Sequence, residues 1–271
     1  MERPHHSSPR KKLTLAYHDL FESAPKDCFS VSFPDFDSQV CHLRSLDPGT
    51  MGPQIGADPY RDIRLRTGGA LVTFDDGHSS DLDAARLLLE KCGARGVFFV
   101  TSGNIGAGSQ WIDAAGIREL ARMDCPVQSH GQSHRFLTML DDRELKEELV
   151  TSRKTLEDLT GREVNALSFP GGRYDDRVVR TACDVGYRHF FTSRPAAVVE
   201  PLPSMDGAWA YHRFLIRTDT GLARFRRIAA GGRGGAAMMD LAYRCKKMLQ
   251  TAIGDGTYQR LWEWRQGRRP G

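Results

Sequence analysis

The sequence predicts an α/β protein in which helices cover a largely parallel sheet. Apolar, β-rich runs recur at Leu13–Tyr17, Leu71–Phe74, Val97–Thr101, Val127–Ser129, Ala166–Phe169, Phe190–Thr192 and Phe214–Ile216, and helical periodicities separate several of them. Alternation of this kind buries a sheet under helices, as an open sheet or as a barrel, and the period of the pattern does not distinguish the two. At 271 residues and 40% hydrophobic content, the chain has material for a sizeable core, in one large α/β domain or two small ones.

Along the chain, Met1 to Lys12 is polar and basic and lacks the apolar core of a signal peptide. No run approaches the roughly 18 apolar residues of a membrane helix, so the expected compartment is the cytoplasm. Phe21 to Arg66 is rich in Pro, Gly and Asp and reads as a long loop, with a short helix suggested by Val40, Leu43 and Leu46. Leu82, Ala85, Leu88 and Leu89 form a stripe before Gly93, and Ile117, Leu120 and Ala121 form part of another. Leu145, Leu149, Leu156 and Leu159 define a longer helix ending near Gly161. Gly231 to Gly235 is a flexible break, and Met238 to Trp264 reads as one or two basic helices.

The net charge of +4 is modest but unevenly placed, since eleven Lys or Arg stand against three acids from Thr220 onward. Such a segment is either a solvated helical face or a contact for an anionic membrane surface or a protein. It carries no helix-turn-helix, finger or stacking-sheet signature, so nucleic acid is not an expected partner. The six cysteines are scattered without a C-x-x-C pair, which excludes a zinc knuckle or redox motif and leaves them as small hydrophobes.

The chemistry concentrates at Thr73-Phe74-Asp75-Asp76-Gly77, where two adjacent carboxylates follow a buried strand. Ligands of parallel sheets bind beyond the strands' carboxyl ends. Alone, Asp75 or Asp76 reads as a cap for the helix starting near Ser79 or Ser80, with Gly77 making the turn. A second element, Ser129-His130-Gly131-Gln132-Ser133-His134, changes that reading. His130 and His134 are four residues apart, so on a helical turn both rings could share one cation, although Gly131 argues against a regular helix. Either Asp75 or Asp76 can complete a shell of three protein ligands, leaving the other as a base beside the water that a divalent cation acidifies.

These elements resemble those of the NodB-homology polysaccharide deacetylases, carbohydrate esterase family 4. T-F-D-D-G and S-H-G-x-S-H stand in the family's order, and Ser168-Phe169-Pro170-Gly171-Gly172-Arg173-Tyr174 is similar to its P-x-G segment. Gly96 to Val100, the helix from Leu145 to Gly161, and Gly186-Tyr187 with Phe191-Thr192-Ser193 also resemble family segments, so the likeness runs from about Leu13 to Ile216.

The resemblance implies a distorted (β/α)7-type barrel of the glycoside hydrolase/deacetylase superfamily. It divides the chain into a basic segment (1–12), a catalytic domain (13–217) and a basic helical extension (218–271). Carried over by position, Asp76, His130 and His134 hold a divalent metal and Asp75 is the general base, while the backbone N–H of Gly171 stabilises the oxyanion. Zn2+ suits the His, His, Asp shell best, and Co2+ or Ni2+ also fit it. Gly171 stands where the family often has Tyr, a change expected to widen the groove. Ser168 stands where an Arg often steadies the base. His212 is the remaining late histidine and thus the candidate general acid.

His18, in Tyr17-His18-Asp19, and Tyr174 are candidate substrate contacts. His78 could line the groove without being a ligand, and Trp111 and Trp209 could stack on a sugar. The implied activity is hydrolysis of N-acetyl groups from an N-acetylhexosamine-containing glycan, oligosaccharide or precursor. The same fold could instead open another amide, or bind carbohydrate without catalysis; the intact set Asp75, Asp76, His130 and His134 argues against the silent reading.

Overall fold

The computed structural model describes residues 10–46, 70–202, 205–230 and 243. The glycine break and basic helices expected after Gly231 lie outside the described residues, as does part of the expected loop before Arg66. The chain opens with β1 (Arg10–Lys11) and β2 (Leu13–Tyr17). A small separate parallel pair, β3 (Leu20–Phe21) and β4 (Val31–Ser32), leads into α1 (Phe33–Leu46), which is longer than the short helix expected there.

Strand and helix then alternate: β5 (Ala70–Phe74), α2 (Asp81–Cys92), β6 (Val97–Val100), α3 (Ala114–Arg122), β7 (Val127–Ser129), α4 (Asp142–Thr160), β8 (Ala166–Ser168), α5 (Asp176–Val185) and β9 (His189–Thr192). β10 (Val198–Pro201), β11 (Trp209–His212), β12 (Phe214–Leu215) and α6 (Leu222–Ala229) complete the described part. No described helix is long and apolar enough to cross a membrane.

β2, β5, β6, β7, β8 and β9 are neighbours in that order and pair in parallel. The last parallel strand closes the ring by changing partners partway along. Trp209–His212 pairs with His189–Thr192, whereas Phe214 and Leu215 pair with Leu15 and Ala16 on the opposite edge. Arg213 is the residue between the two pairings, and Ile216 N–H continues the second by donating to Ala16 C=O at 2.9 Å. The result is a curled, mostly parallel (β/α) barrel distorted at this seam, with β10 and β1 added antiparallel beside β11.

Side-chain alternation sorts the strands into two faces. Leu71, Val97, Phe99, Ala166, Phe191 and Tyr211 form a cluster of strand residues alone, the barrel interior. The larger cluster joins the outer strand faces to the helices, as with Phe98, Phe190, Leu88 and Leu145. α4 shows why its segment is helical: Asp141 and Glu144 form a reciprocal capping box, Leu145, Leu149 and Leu156 bury one stripe, and Gly161 ends the helix at φ 64°. α6 packs on α1, burying Phe225 and Ile228.

Candidate metal and catalytic site

Asp75 and Asp76 leave the carboxyl end of β5, where the chain turns through Asp76 (φ 79°) and Gly77 (φ 83°). A β-carbon at Gly77 would come within 2.8 Å of Val100 Cγ1, so only glycine suits this turn. Left-handed backbone costs a residue that has a β-carbon, and His134 adopts it too, at φ 61°. Strain at these two residues is offset by what their side chains reach.

Asp76 Oδ1 lies 3.2 Å from His130 Nε2 and 3.0 Å from His134 Nε2. One ligand atom from each residue falls within 4.8 Å of the others. Asp76 Oδ1 is nevertheless buried without a well-aligned hydrogen-bond donor among the described residues. A buried oxygen that two imidazole nitrogens approach without hydrogen bonding to it fits a shared cation, and His, His, Asp is a donor set for a borderline divalent metal. His130 Nδ1 donates to the Ser168 carbonyl at 2.9 Å, which fixes the tautomer and leaves Nε2 as a lone pair facing Asp76.

The loop carrying both histidines is held from α4. Glu148 Oε1 accepts from the backbone N–H of Gln132 (2.7 Å) and Ser133 (2.6 Å), and Ser152 Oγ donates to Gly131 C=O at 3.0 Å. Glu148 and Ser152 belong to the helix read for its apolar stripe and its likeness to a family segment, and neither was given a role at the site. Their spacing, four apart on the barrel side of α4, was the available signal.

Asp75 is engaged from the other direction. Arg213, fully buried at the seam, pairs bidentately with it: Nη1 to Oδ1 and Nη2 to Oδ2, each at 2.7 Å. Ser168 Oγ donates to Asp75 Oδ2 at 3.0 Å, and Arg213 also reaches Thr73 Oγ1, Ser168 Oγ and Thr192 C=O. The guanidinium rests on the inner aromatic plug, 5.6 Å from the Phe99 ring centroid and 5.7 Å from that of Phe191. The Arg missing at Ser168 is therefore replaced by one from the last strand, a residue the sequence reading passed over. An arginine between Tyr211 and Phe214 in a buried strand was its signal.

Burial alone would raise the Asp75 pKa, but Arg213, then His130 and His18, outweigh it and hold the carboxyl below its ordinary value. Burial likewise opposes ionisation of Asp76, yet His134, His130 and His78 hold it well below. Burial disfavours the His130 imidazolium, and the carboxylates of Asp75 and Asp76 more than compensate, so its pKa is raised. Asp81 behaves oppositely. It is buried with neither oxygen hydrogen-bonded, and burial followed by the charges of Asp19, Asp76 and Asp75 pushes its pKa well above the carboxylate range.

The structure brings His18, Asp75, Asp76, His130, His134 and Gly171 into one cleft. His78 joins them, stacked on Trp111 at 4.8 Å and 3.7 Å from Asp76 Oδ2. His18 stacks on Phe29, and its Nδ1 is buried without a hydrogen-bond partner among the described residues.

His212 is corrected: it does not line the cleft. Arg213 points inward, so its neighbour points outward, where His212 Nδ1 meets Thr192 Oγ1 at 2.7 Å and Nε2 meets Glu200 Oε1 at 2.8 Å. Tyr174 is corrected too, since it stacks behind the cleft residue Phe169 at 4.5 Å and is not itself a lining residue. Trp209 belongs to the inner plug. Nor does Gly171 leave a gap in place of the expected ring. Its φ is 61°, and a β-carbon there would collide with the Phe136 ring, so Phe136 already fills that direction.

Residues 64–190 match the family described as Polysaccharide deacetylase. A protein of Bacillus subtilis (strain 168) with the provisional name polysaccharide deacetylase YxkH is 26% identical over 216 residues, spanning 79% of this chain and 74% of that one. Among solved structures, BC0361, a polysaccharide deacetylase from Bacillus cereus, is 25% identical, with a TM-score of 0.70 over 82% of this chain and 69% of that chain. The Streptococcus pyogenes deacetylase PplD, solved in complex with acetate, shares the fold at a TM-score of 0.69 and 20% identity, covering 82% of this chain and 99% of that one.

Proposed function

Since the chain belongs to the NodB-homology polysaccharide deacetylases, we infer that it is a divalent-metal-dependent hydrolase removing N-acetyl groups from an N-acetylhexosamine in a glycan, oligosaccharide or glycan precursor. The observation that carries this reading is the convergence of Asp76, His130 and His134 beside an Asp75 locked by Arg213.

An amide is a poor electrophile with a poor leaving group, so its hydrolysis needs an activated water, a stabilised oxyanion and a proton for the amine. Asp76, His130 and His134 would hold the cation, with Zn2+ the best match and Co2+ or Ni2+ alternatives. When bound, it supplies Lewis acidity, acidifying a water and polarising the acetyl carbonyl.

Asp75 takes the proton of the attacking water. Because its pKa is depressed, it is ionised throughout the neutral range but weakly basic, and an acidified water is what such a base can deprotonate. Gly171, in the cleft wall, offers a backbone N–H to the developing oxyanion. With His212 outside the cleft, His18 and His78 are the lining imidazoles not proposed as ligands, and His18, the one whose charge acts on Asp75, is assigned the return of the proton to the departing amine. Burial pulls its pKa down, partly offset by Asp76 and Asp75, so an imidazolium formed there gives up its proton readily.

The test is metal analysis together with acetate release from a panel of N-acetylated sugars, for wild type, Asp75→Asn and His134→Ala. His134→Ala should lose the metal, whereas Asp75→Asn should keep it and lose about 10²–10⁴ of the rate. Undiminished acetate release by Asp75→Asn, or none by metal-loaded wild type on any sugar tested, would overturn the reading.

A further inference from the structure

One cation of the cleft has no counter-ion among the described residues. Arg217 lines the same cleft as Asp75 and Asp76 and is half-buried, with its guanidinium carbon 5.1 Å from the Phe29 ring centroid. It makes no ion pair and no side-chain hydrogen bond with any described residue. Carboxylates are not lacking, but each is committed. Asp75 is held by Arg213, and Asp76 faces the histidines. Asp19 pairs with Lys26 at 2.8 Å. Asp27 Oδ1 accepts from the N–H of Phe29 and of Ser30 in its own turn.

The rim that presents Arg217 is rigidly built. Thr218 Oγ1 donates to the carbonyls of Asp27 and Ser30 at 2.9 and 2.7 Å, and Thr218 N–H donates to Cys28 C=O at 3.1 Å. Arg217 N–H donates to Thr220 Oγ1 at 3.0 Å. Gln39 ties the Thr220 carbonyl to the core, where its own Oε1 accepts from the buried Tyr17 hydroxyl at 2.7 Å. Phe29 is covered on its imidazole contact by His18 and carries the Arg217 guanidinium as well, so it acts as a prop for both side chains and not as a sugar platform. A planar guanidinium held in place at a cleft mouth is suited to bidentate capture of a carboxylate or phosphate.

Resting on the reading of this cleft as a sugar-binding active site, we propose that Arg217 selects acidic substrates: it binds an oxyanion, a carboxylate or a phosphate, carried by the N-acetylhexosamine or by the residue attached to it.

The test uses the metal-loaded full chain and calorimetry with three probes: N-acetylglucosamine 1-phosphate, a glucuronic acid–N-acetylglucosamine disaccharide, and neutral methyl N-acetylglucosaminide. Wild type should bind one or both acidic probes at least about 10-fold tighter than the neutral one, with the preference shrinking as salt rises. The preferred acidic probe identifies phosphate or carboxylate as the natural group. Arg217→Gln should abolish the preference while shifting the neutral Kd by less than about 3-fold, and Arg217→Lys should retain part of it.

Three results would overturn the proposal: no preference in wild type, no binding of any probe, or an acidic preference unchanged in Arg217→Gln, which would assign the anion to the metal. Acetate release is scored separately. Its failure with the acidic preference intact rejects deacetylation and not Arg217's role, whereas deacetylation without any preference rejects Arg217's role alone.

Discussion

Replacing Arg213 by methionine removes one partner of a pair in which neither side chain is solvated: Arg213 is 0% and the Asp75 side chain 5% exposed. The carboxylate is left buried with Ser168 as its remaining hydroxyl donor. Breaking a buried pair in this way costs about 3–5 kcal/mol, a fall of about 6–20 °C in melting temperature for a domain of this size. The sign with pH follows from Asp75. In wild type its folded pKa is lowered, so its contribution is present above the unfolded value of about 4 and is lost as pH falls through the folded one. Without Arg213, burial is opposed mainly by His130 and His18, and the pKa rises above the unfolded value. Arg213→Met is then most damaged near pH 7, and the gap to wild type narrows towards pH 4. Urea denaturation of the metal-free protein from pH 4 to 8 reads this directly. Asp75→Asn/Arg213→Met should be more stable at pH 7 than Arg213→Met, because no buried charge is left. Stability within about 1 kcal/mol of wild type at pH 7, or a double variant no better than the single one, would refute the reasoning.

Glu148→Gln should lower metal affinity about 10-fold in a chelator competition, with little change in fold, because one oxygen still accepts from the histidine loop but its charge is gone. His212→Gln should leave acetate release within about 3-fold while costing about 1–2 kcal/mol of stability. His18→Gln should lose about 10²–10⁴ of the rate with the metal retained, and a comparable loss in His212→Gln would return the acid role to His212. Asp81→Asn should stabilise the protein at neutral pH. The raised folded pKa of Asp81 means that wild type loses up to about 1.4 kcal/mol per pH unit as pH climbs from about 4 towards that value, so an amide variant with the wild-type pH slope would show that Asp81 is not the cause.

The seven parallel strands were legible because strands buried on both faces read as continuous apolar runs, and each such run became a strand. Asp75, Asp76, His130 and His134 were legible as a group because their spacing and order survive in one dimension. What failed was direction. His212 and Arg213 are adjacent, and only the closing of the barrel decides which of them faces Asp75; the sequence reading chose the residue that faces outward. The widened groove expected at Gly171 failed for a related reason, since the atoms filling its missing side-chain position come from Phe136, thirty-five residues earlier. Arg217 drew no notice because the role proposed for it rests on the lack of a counter-ion among the described residues, and such a lack has no sequence motif.

The seam at Arg213 also orders events in time. Asp76, His130, His134 and the Glu148 that braces them all precede Arg213 in the chain. A ribosome-bound chain that has emerged through β8 already holds every group proposed to grip the ion. The proposed base, however, is a carboxylate still waiting for its counter-ion. Arg213 arrives on the strand that bridges β9 and β2, so completing the cylinder and arming Asp75 are one event. On the proposed roles, a half-made protein of this design would carry the ligand set before the residue that pairs with its base.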